Sequence, residues 1–265
     1  MKTIGMILAG GLGRRMGSTL PKVLHEVEGV PMVNRALDAL QKGGIDQRVA
    51  ILSHAAEQVM SVLPKEVEVV VQERPRGTAS AVLEAQHYLE DDDTQVVVSF
   101  GDMPWLNPTS VRQVLDALKT GADAALLFHT FEDPPHFGRI IRDEKGEFVT
   151  IRQYKDCSPE ELEIKELDAG LFGFRAKALR DVLSLLDDDN AAGELYLTDA
   201  PGRIVSTGGR VACVATQHIE EALGVNDKRH LEFANQIVAL RRSESQWGIA
   251  DEIYEEEQQK TAAAK

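Results

Sequence analysis

Met6-Ile7-Leu8-Ala9-Gly10-Gly11-Leu12-Gly13-Arg14-Arg15-Met16, with Pro21-Lys22 close behind, opens the chain as an apolar run that breaks into glycines and then into fixed positive charge. Such a run is expected to be a buried strand that ends in a phosphate-binding loop. Residues without a Cβ let the backbone turn sharply and bring its N–H groups near anionic oxygens. Arg14, Arg15 and Lys22 add cations that could follow a polyphosphate along its length. A tight turn with solvated arginines is the plainer alternative, and a glycine motif alone does not decide between them. The dinucleotide fingerprint is excluded, because Gly11-x-Gly13 is followed by Arg14, Arg15 and Met16 and no third glycine. A Walker A loop is excluded too, since Lys22 lies too far from the glycines and precedes Val23.

Outward from that loop, the composition is that of a soluble globular chain: 265 residues, 43% hydrophobic and 27% charged, enough to bury a sizeable core. The net charge of −14, from 29 Lys and Arg against 43 Asp and Glu, opposes nucleic-acid or anionic-membrane partners, which need a basic face. Part of it sits in the tail, where Glu244 to Lys260 carries six acids and one base. Against the overall sign, the cluster of Arg14, Arg15 and Lys22 gains weight as a local anion site. Cys157 and Cys213 lie far apart with no CxxC spacing, so two reduced thiols are expected rather than a disulfide or a cysteine zinc site. Lys2 and the apolar run after it imitate a signal peptide, but the run is short and leads straight into Gly-Leu-Gly-Arg-Arg. No stretch approaches the ~18–20 apolar residues of a membrane helix. A cytoplasmic protein is expected.

Downstream, strand-like and helix-like segments alternate. Thr3–Ala9, Arg48–Ser53, Val67–Val71, Gln95–Phe100 and Ala122–Phe128 have the composition of strands. Pro31–Lys42 (apolar at Val33, Ala36, Leu37 and Leu40, closed by Gly43-Gly44), Ala55–Leu63, Thr78–Leu89 and Pro108–Lys119 have helical spacing. Short apolar runs separated by helices predict an α/β fold with a mostly parallel sheet covered on both faces. Beyond residue 138 the rhythm changes. Gly138–Ile151 has β-branched runs about Asp143–Glu147, a hairpin signature. Leu167–Phe174 and Val211–Ala215 are further strands, and Lys177–Leu186 is a helix. Tyr196–Thr207 is expected to be helical with a break at Pro201, and Ile219–Leu240 to hold two short helices around Val225-Asn226-Asp227. Beyond Arg242 the polar chain is expected to be a frayed helix or a disordered tail.

Open α/β sheets bind ligands at the carboxyl ends of their strands. There the chain has the Gly-rich loop after its first strand, Gln72 and then Gly77-Thr78 after the third, and Gly101-Asp102-Met103-Pro104 after the fourth. Asp102 could cap the next segment or ligate magnesium, which prefers hard oxygen donors and phosphate company. Gln72 could satisfy local backbone, or turn its paired donor and acceptor edges to a nucleobase. The seven histidines show no metal-ligand spacing, and no Ser-His-Asp or Cys-His arrangement is legible. The Asp91-Asp92-Asp93 and Asp187-Asp188-Asp189 runs are most simply solvated loops or helix ends.

Further motifs follow in order: Leu20-Pro21-Lys22-Val23-Leu24-His25, Gln72…Gly77-Thr78-Ala79, Gly101-Asp102-Met103-Pro104, Phe137-Gly138-Arg139-Ile140, Tyr154-Lys155-Asp156, Leu167-Asp168-Ala169-Gly170, Gly193-Glu194-Leu195-Tyr196-Leu197-Thr198-Asp199 and Gly224-Val225-Asn226-Asp227. With the opening loop they span roughly residues 3–240. Together they resemble the sugar-1-phosphate nucleotidyltransferases. The resemblance is strongest to the N-acetylglucosamine-1-phosphate uridyltransferase (pyrophosphorylase) domain of the bifunctional enzyme that makes UDP-N-acetylglucosamine. It implies a Rossmann-like nucleotide-diphospho-sugar transferase fold with a small β-hairpin sugar-binding subregion. That domain would occupy residues 1–242, with 243–265 an acidic C-terminal helix or disordered tail.

The activity implied is Mg²⁺-dependent transfer of a nucleotidyl group, most simply uridylyl, from UTP or another NTP to a sugar 1-phosphate, releasing pyrophosphate. By the same resemblance Leu8, Ala9, Gly10, Gly11, Gly13, Gln72, Gly77 and Thr78 would hold the nucleotide. Arg15, Lys22 and Asp102 would carry catalysis, and Asp102 and Asn226 would ligate Mg²⁺. Gly138, Gln153, Asp168 and Thr198 would line the sugar pocket. The attacking phosphate is already ionised, so positioning and charge neutralisation would suffice without a protein nucleophile.

Two positions depart from that family, which usually has Asn where this chain has Asp168 and Glu where it has Gln153. The exchange keeps the pair's formal charge but rearranges donors and acceptors around the sugar. Sites built on sugar hydrogen bonds discriminate strongly, so N-acetylglucosamine 1-phosphate need not be the preferred substrate. No hexapeptide repeat is present, so acetyl transfer is not expected, and a monomer or small homo-oligomer is. The competing readings are a non-catalytic nucleotide-sugar-binding regulatory protein, a nucleotidyltransferase acting on another phosphorylated acceptor, and a dinucleotide oxidoreductase, which fails on the glycine pattern. A pure binder would not need Arg15, Lys22, Asp102 and Asn226 together.

Overall fold

Alternating apolar runs and amphipathic segments build the first half of the protein in the order β1 (Thr3–Leu8), β2 (Glu26–Val27), β3 (Val30–Pro31), α1 (Met32–Lys42), β4 (Gln47–Leu52), α2 (Ala56–Met60), β5 (Glu68–Val71), α3 (Thr78–Glu84), β6 (Gln95–Phe100) and α4 (Pro108–Lys119). The second half adds β7 (Ala124–Thr130), β8 (Arg139–Arg142), β9 (Phe148–Arg152), α5 (Pro159–Leu162), β10 (Glu166–Arg175), α6 (Ala176–Leu183), α7 (Asp199–Ser206), β11 (Val211–Ala215) and α8 (Lys228–Ser243). The computed structural model describes residues 1–11 and 13–243. The acidic tail expected over 243–265 lies, but for Ser243, outside the described residues, as does the Arg14 side chain.

The central sheet runs β11-β7-β10-β6-β1-β4-β5, with β8 and β9 branching from β10. β6, β1, β4 and β5 are parallel, as are β11 and β7. Their runs are apolar on both faces because helices cover both. Alternate residues serve the two sides. Ile7, Ala50 and Val97 pack with α1 and α4, whereas Met6, Ile51 and Val98 pack with α3, α6 and α7. α4 starts where the sequence provides for it: the Asn107 side chain accepts from Thr109 N–H at 2.8 Å and Pro108 fills the first helical position. No helix among the described residues is long and apolar enough to cross a membrane.

The mostly parallel α/β sheet and the hairpin after residue 138 are as expected. Other features differ. β10 runs antiparallel to both of its sheet neighbours, β6 and β7, which composition cannot reveal. The helix expected over 55–63 shortens to α2, which starts only after Ala55 because that residue adopts a left-handed conformation at φ 54°. The segment 196–207 is not a helix broken at Pro201. α7 begins only at Asp199, which puts Pro201 in the first turn, where no intrahelical N–H is needed.

One crossing ties the two halves together. The Leu195 N–H donates to Arg76 O at 2.8 Å, Ala79 N–H donates to Leu195 O at 2.9 Å, and Leu197 N–H donates to Thr78 Oγ1 at 2.8 Å. Gly77 lies under this crossing at φ +117°, and a Cβ there would sit 2.7 Å from Leu195 N. Neither the angle nor the space admits a side chain. Gly77→Ala is therefore expected to cost about 2 kcal/mol or more. Urea unfolding of the two proteins would measure it, and a midpoint equal to the parent's would refute the account of the crossing.

Candidate active site

β1 and β6 lie side by side with Leu8 opposite Phe100, and the Gly101 N–H donates to Leu8 O at 2.9 Å. The loops leaving their carboxyl ends therefore start together. In the first loop, Ser53 Oγ donates to Gly10 O at 2.6 Å, and Met16 is fully buried at the end of a 3-10 turn over Arg14–Met16. Gly13, at φ +57°, lies so close to a second 3-10 turn, Lys22–Leu24, that a Cβ would stand 2.6 Å from Lys22 Cβ. The loop thus doubles back and brings Lys22 beside its own glycines.

Four residues from three distant segments meet here. Lys22 Nζ ion-pairs with Asp102 Oδ2 and donates to Asn226 Oδ1 at 3.0 Å. Arg15 Nη2 donates to the same Asn226 oxygen at 3.0 Å. Asn226 is delivered by its neighbour, for the Val225 N–H donates to Asp102 O at 2.9 Å. Asp102 and Asn226 therefore direct two oxygens at one cation, the Lys22 ammonium. Two hard oxygens so placed are a donor set that suits Mg²⁺, which typically takes one or two protein oxygens together with phosphates and water. Among the described residues no cluster of three or more His, Cys, Asp or Glu offers a fuller protein cage.

A cavity of about 300 Å³ adjoins this cluster. Asp102 and Asn226 line it together with Gly138, Gln153, Asp168, Thr198 and Thr78. Gln153 Nε2 donates to Thr198 Oγ1 at 2.8 Å. The Asp168 N–H donates to Gly138 O at 3.0 Å, while its Oδ1 accepts from the Gly170 N–H at 2.8 Å. The Asp168 side chain lines the cavity and is only partly exposed, and desolvation pushes its pKa from 3.8 up to about 7, against the Gly170 hydrogen bond. The remaining expected nucleotide residues do not line this cavity. Leu8 ends β1, and Ala9, Gly10, Gly11 and Gly13 follow it. Gln72 is buried and donates through Nε2 to Ser80 Oγ at 2.7 Å, and Ser80 Oγ donates to Gly77 O at 2.9 Å.

Met103, Phe137, Glu194 and Tyr196 also line the cavity. All four lie inside motifs visible in the sequence, but motif membership alone assigns no direction to a side chain. Two supporting residues were less visible. Arg139 is buried and donates to Pro135 O at 2.6 Å, Phe137 O at 2.8 Å and Leu162 O at 3.2 Å, which fixes the loop beneath Phe137. Glu221, also buried, accepts from Ser110 Oγ at 2.7 Å and Thr216 Oγ1 at 2.6 Å. It secures the short 3-10 turn Ile219–Ala222 that leads into Gly224-Val225-Asn226. The one signal for it is a pair of acids in an otherwise apolar stretch. Burial pushes the Glu221 carboxyl from 4.5 up to about 7, against the hydrogen bonds from Thr216 and Ser110.

A loop at a strand end that holds cations beside a paired carboxylate and amide is the arrangement of a nucleotide-handling α/β protein. The model of the MobA-like NTP transferase domain matches residues 5–192, and the chain belongs to that family. It is 38% identical over 241 residues to the bifunctional protein GlmU of Clostridioides difficile, covering 91% of this chain and 52% of that one. With the bifunctional protein GlmU of Acetivibrio thermocellus the identity is 34% over 239 residues, 90% of this chain and 52% of the relative. The chain thus spans about half the length of the curated relatives it matches. A crystal structure provisionally named glucose-1-phosphate thymidylyltransferase, from Bacillus anthracis, superposes with a TM-score of 0.72 at 21% identity, covering 89% of this chain and 94% of that one. That likeness is one of fold.

Glu221 makes a stability test. Its pKa is higher folded than unfolded, so the folded state holds the extra proton between about pH 4.5 and about pH 7. The stability this gives is present below 4.5 and lost as pH rises through 7. Glu221→Gln keeps the shape without the charge. Between pH 5 and 8 the parent's unfolding free energy is expected to fall by about 2 kcal/mol more than the variant's. Identical slopes in the two proteins would contradict it.

Proposed function

We propose that the protein is a Mg²⁺-dependent sugar-1-phosphate uridylyltransferase, which joins UTP and a sugar 1-phosphate into a UDP-sugar and pyrophosphate. The observation that carries this reading is the meeting of Arg15, Lys22, Asp102 and Asn226 beside a 300 Å³ cavity lined by Gly138, Gln153, Asp168 and Thr198. Cations for a triphosphate stand next to a space of the size a monosaccharide needs. The names of the relatives, GlmU and glucose-1-phosphate thymidylyltransferase, support the same class of reaction.

In this reaction an oxygen of the sugar 1-phosphate bonds to the nucleotide α-phosphorus while the bridging bond to the β-phosphate breaks. Pyrophosphate leaves with the electron pair. The attacking oxygen is already anionic, so no side chain has to remove a proton. Arg15 and Lys22 hold the triphosphate and neutralise charge that accumulates on the departing pyrophosphate. Asp102 and Asn226 would hold Mg²⁺, which supplies Lewis-acid neutralisation of the phosphates when bound. The backbone after β1, with Gln72, Gly77 and Thr78, takes the nucleoside. Gly138, Gln153, Asp168 and Thr198 orient the sugar, so that its phosphate faces the α-phosphorus.

Pyrophosphate release, measured for a panel of nucleoside triphosphates against hexose 1-phosphates, tests the proposal. UTP is expected to be the best donor, and chelation of divalent metal to abolish release. Lys22→Ala is expected to lower kcat by about 10²–10³ with its far-UV spectrum unchanged. No release by the parent protein from any pair would leave a binding protein as the better reading.

A further inference from the structure

The cavity beside the four-residue cluster is electrically lopsided. At Asp102 and Asn226 it meets the Lys22 ammonium and the Arg15 guanidinium. Among the described residues no lysine or arginine is part of its lining, which otherwise carries the carboxylates of Asp168 and Glu194. Asp102 has Lys22 as its counter-ion, and Glu194 is exposed to solvent. Asp168, partly exposed at the cavity wall, has no counter-ion among the described residues. Its Oδ1 accepts the Gly170 N–H, and among the described residues no cation and no hydroxyl meets its other oxygen.

The local backbone presents this acid to the cavity. β10 carries a bulge between Asp168 and Phe172, which re-aims side chains that a regular strand would alternate. Gly170 sustains the bulge at φ +68°, packed so that a Cβ would lie 2.5 Å from Met103 Sδ. Gln153 cannot answer Asp168 through the amide hydrogen it already gives to Thr198. A partly desolvated carboxylate without a counter-ion is costly, and either a proton or a cation relieves it. The rise of its pKa to about 7 expresses that cost.

We infer that the acceptor is an amino sugar 1-phosphate with a free, protonated amine, bound by Asp168 while Arg15 and Lys22 face its phosphate. This inference rests on the nucleotidyltransferase reading above. Such a substrate is a zwitterion, and its two charges match the two ends of the cavity. A hydroxyl in the same place could donate to Asp168 but would leave the charge unanswered. An acylated amine keeps one N–H, loses the charge and adds a carbonyl acceptor beside an acid. A uronic acid would set carboxylate against carboxylate.

The test is pyrophosphate release with UTP and Mg²⁺ from glucosamine 1-phosphate, N-acetylglucosamine 1-phosphate and glucose 1-phosphate, for the parent and for Asp168→Asn. Asparagine can still accept from the Gly170 N–H, so the bulge has no reason to change. For the parent, kcat/KM is expected to be highest for glucosamine 1-phosphate by about tenfold or more, the worth of one charge-assisted hydrogen bond. Asp168→Asn is expected to erase that preference, chiefly by raising KM for glucosamine 1-phosphate. The parent's own ranking is decisive even where the variant folds poorly. N-acetylglucosamine or glucose 1-phosphate turned over at least as efficiently as glucosamine 1-phosphate would overturn the inference and leave the proposed reaction standing. No release from any of the three would overturn both.

Discussion

Lys22 holds the site together. Its ammonium joins the Asp102 carboxylate to the Asn226 amide, and so links a loop after β1, a loop after β6 and a segment more than two hundred residues further along. The pair is only partly exposed, with side-chain exposures of 14% and 18%, so losing either partner would leave a charge with poor access to water. The sheet makes the meeting possible. Parallel pairing of β1 with β6 sets Leu8 opposite Phe100, and both loops emerge at the same height. Backbone hydrogen bonds from Gly101 to Leu8 and from Val225 to Asp102 then fix the loops before any side chain contributes.

Around that junction the protein separates two kinds of charge. The glycine loop brings Arg15 and Lys22 to the carboxyl ends of the parallel strands, against a net charge of −14 for the chain. The branch of β8, β9 and β10 contributes the other wall, where Asp168 is the acid without a counter-ion. Gly77 and Leu195 couple the two sides, since the backbone that carries Thr78 is hydrogen-bonded to the backbone just before Thr198. Gln72 and Ser80 reinforce the same crossing from the core side. The segments that carry Thr78 and Thr198 are therefore one connected unit, and a change at Gly77 would be felt at both.

Much of this was legible in the residue order. Continuous apolar runs located β1 and β6, and 3.6-residue spacing located α4, because those elements bury the residues their sequences mark as apolar. The glycine loop, Asp102 and Asn226 were legible as candidates through their motifs, and the fold brings them within hydrogen-bonding reach of Lys22 and Arg15. What was not legible depends on contacts distant in sequence. The reversed direction of β10 is set by its pairing with β6 and β7, which leaves no local mark. Pro201 looked like a helix breaker until the start of α7 placed it in a first turn. The β2–β3 ribbon, two residues a side and turned through Glu28 and Gly29 at positive φ, is too short to show a pattern. Glu221 became informative only once Ser110 and Thr216, from other elements, were seen to donate to it. The Asp168 bulge likewise exists only in register with β7.

Asp102 and Asn226 share the Lys22 ammonium, and a metal ion held by both would take its place. Anomalous diffraction from crystals of the protein grown with Mn²⁺ and a non-hydrolysable UTP analogue tests this most directly. The account predicts a manganese peak within coordination distance of both Asp102 Oδ2 and Asn226 Oδ1. A peak elsewhere, with the Lys22 ammonium still on both oxygens, would contradict it.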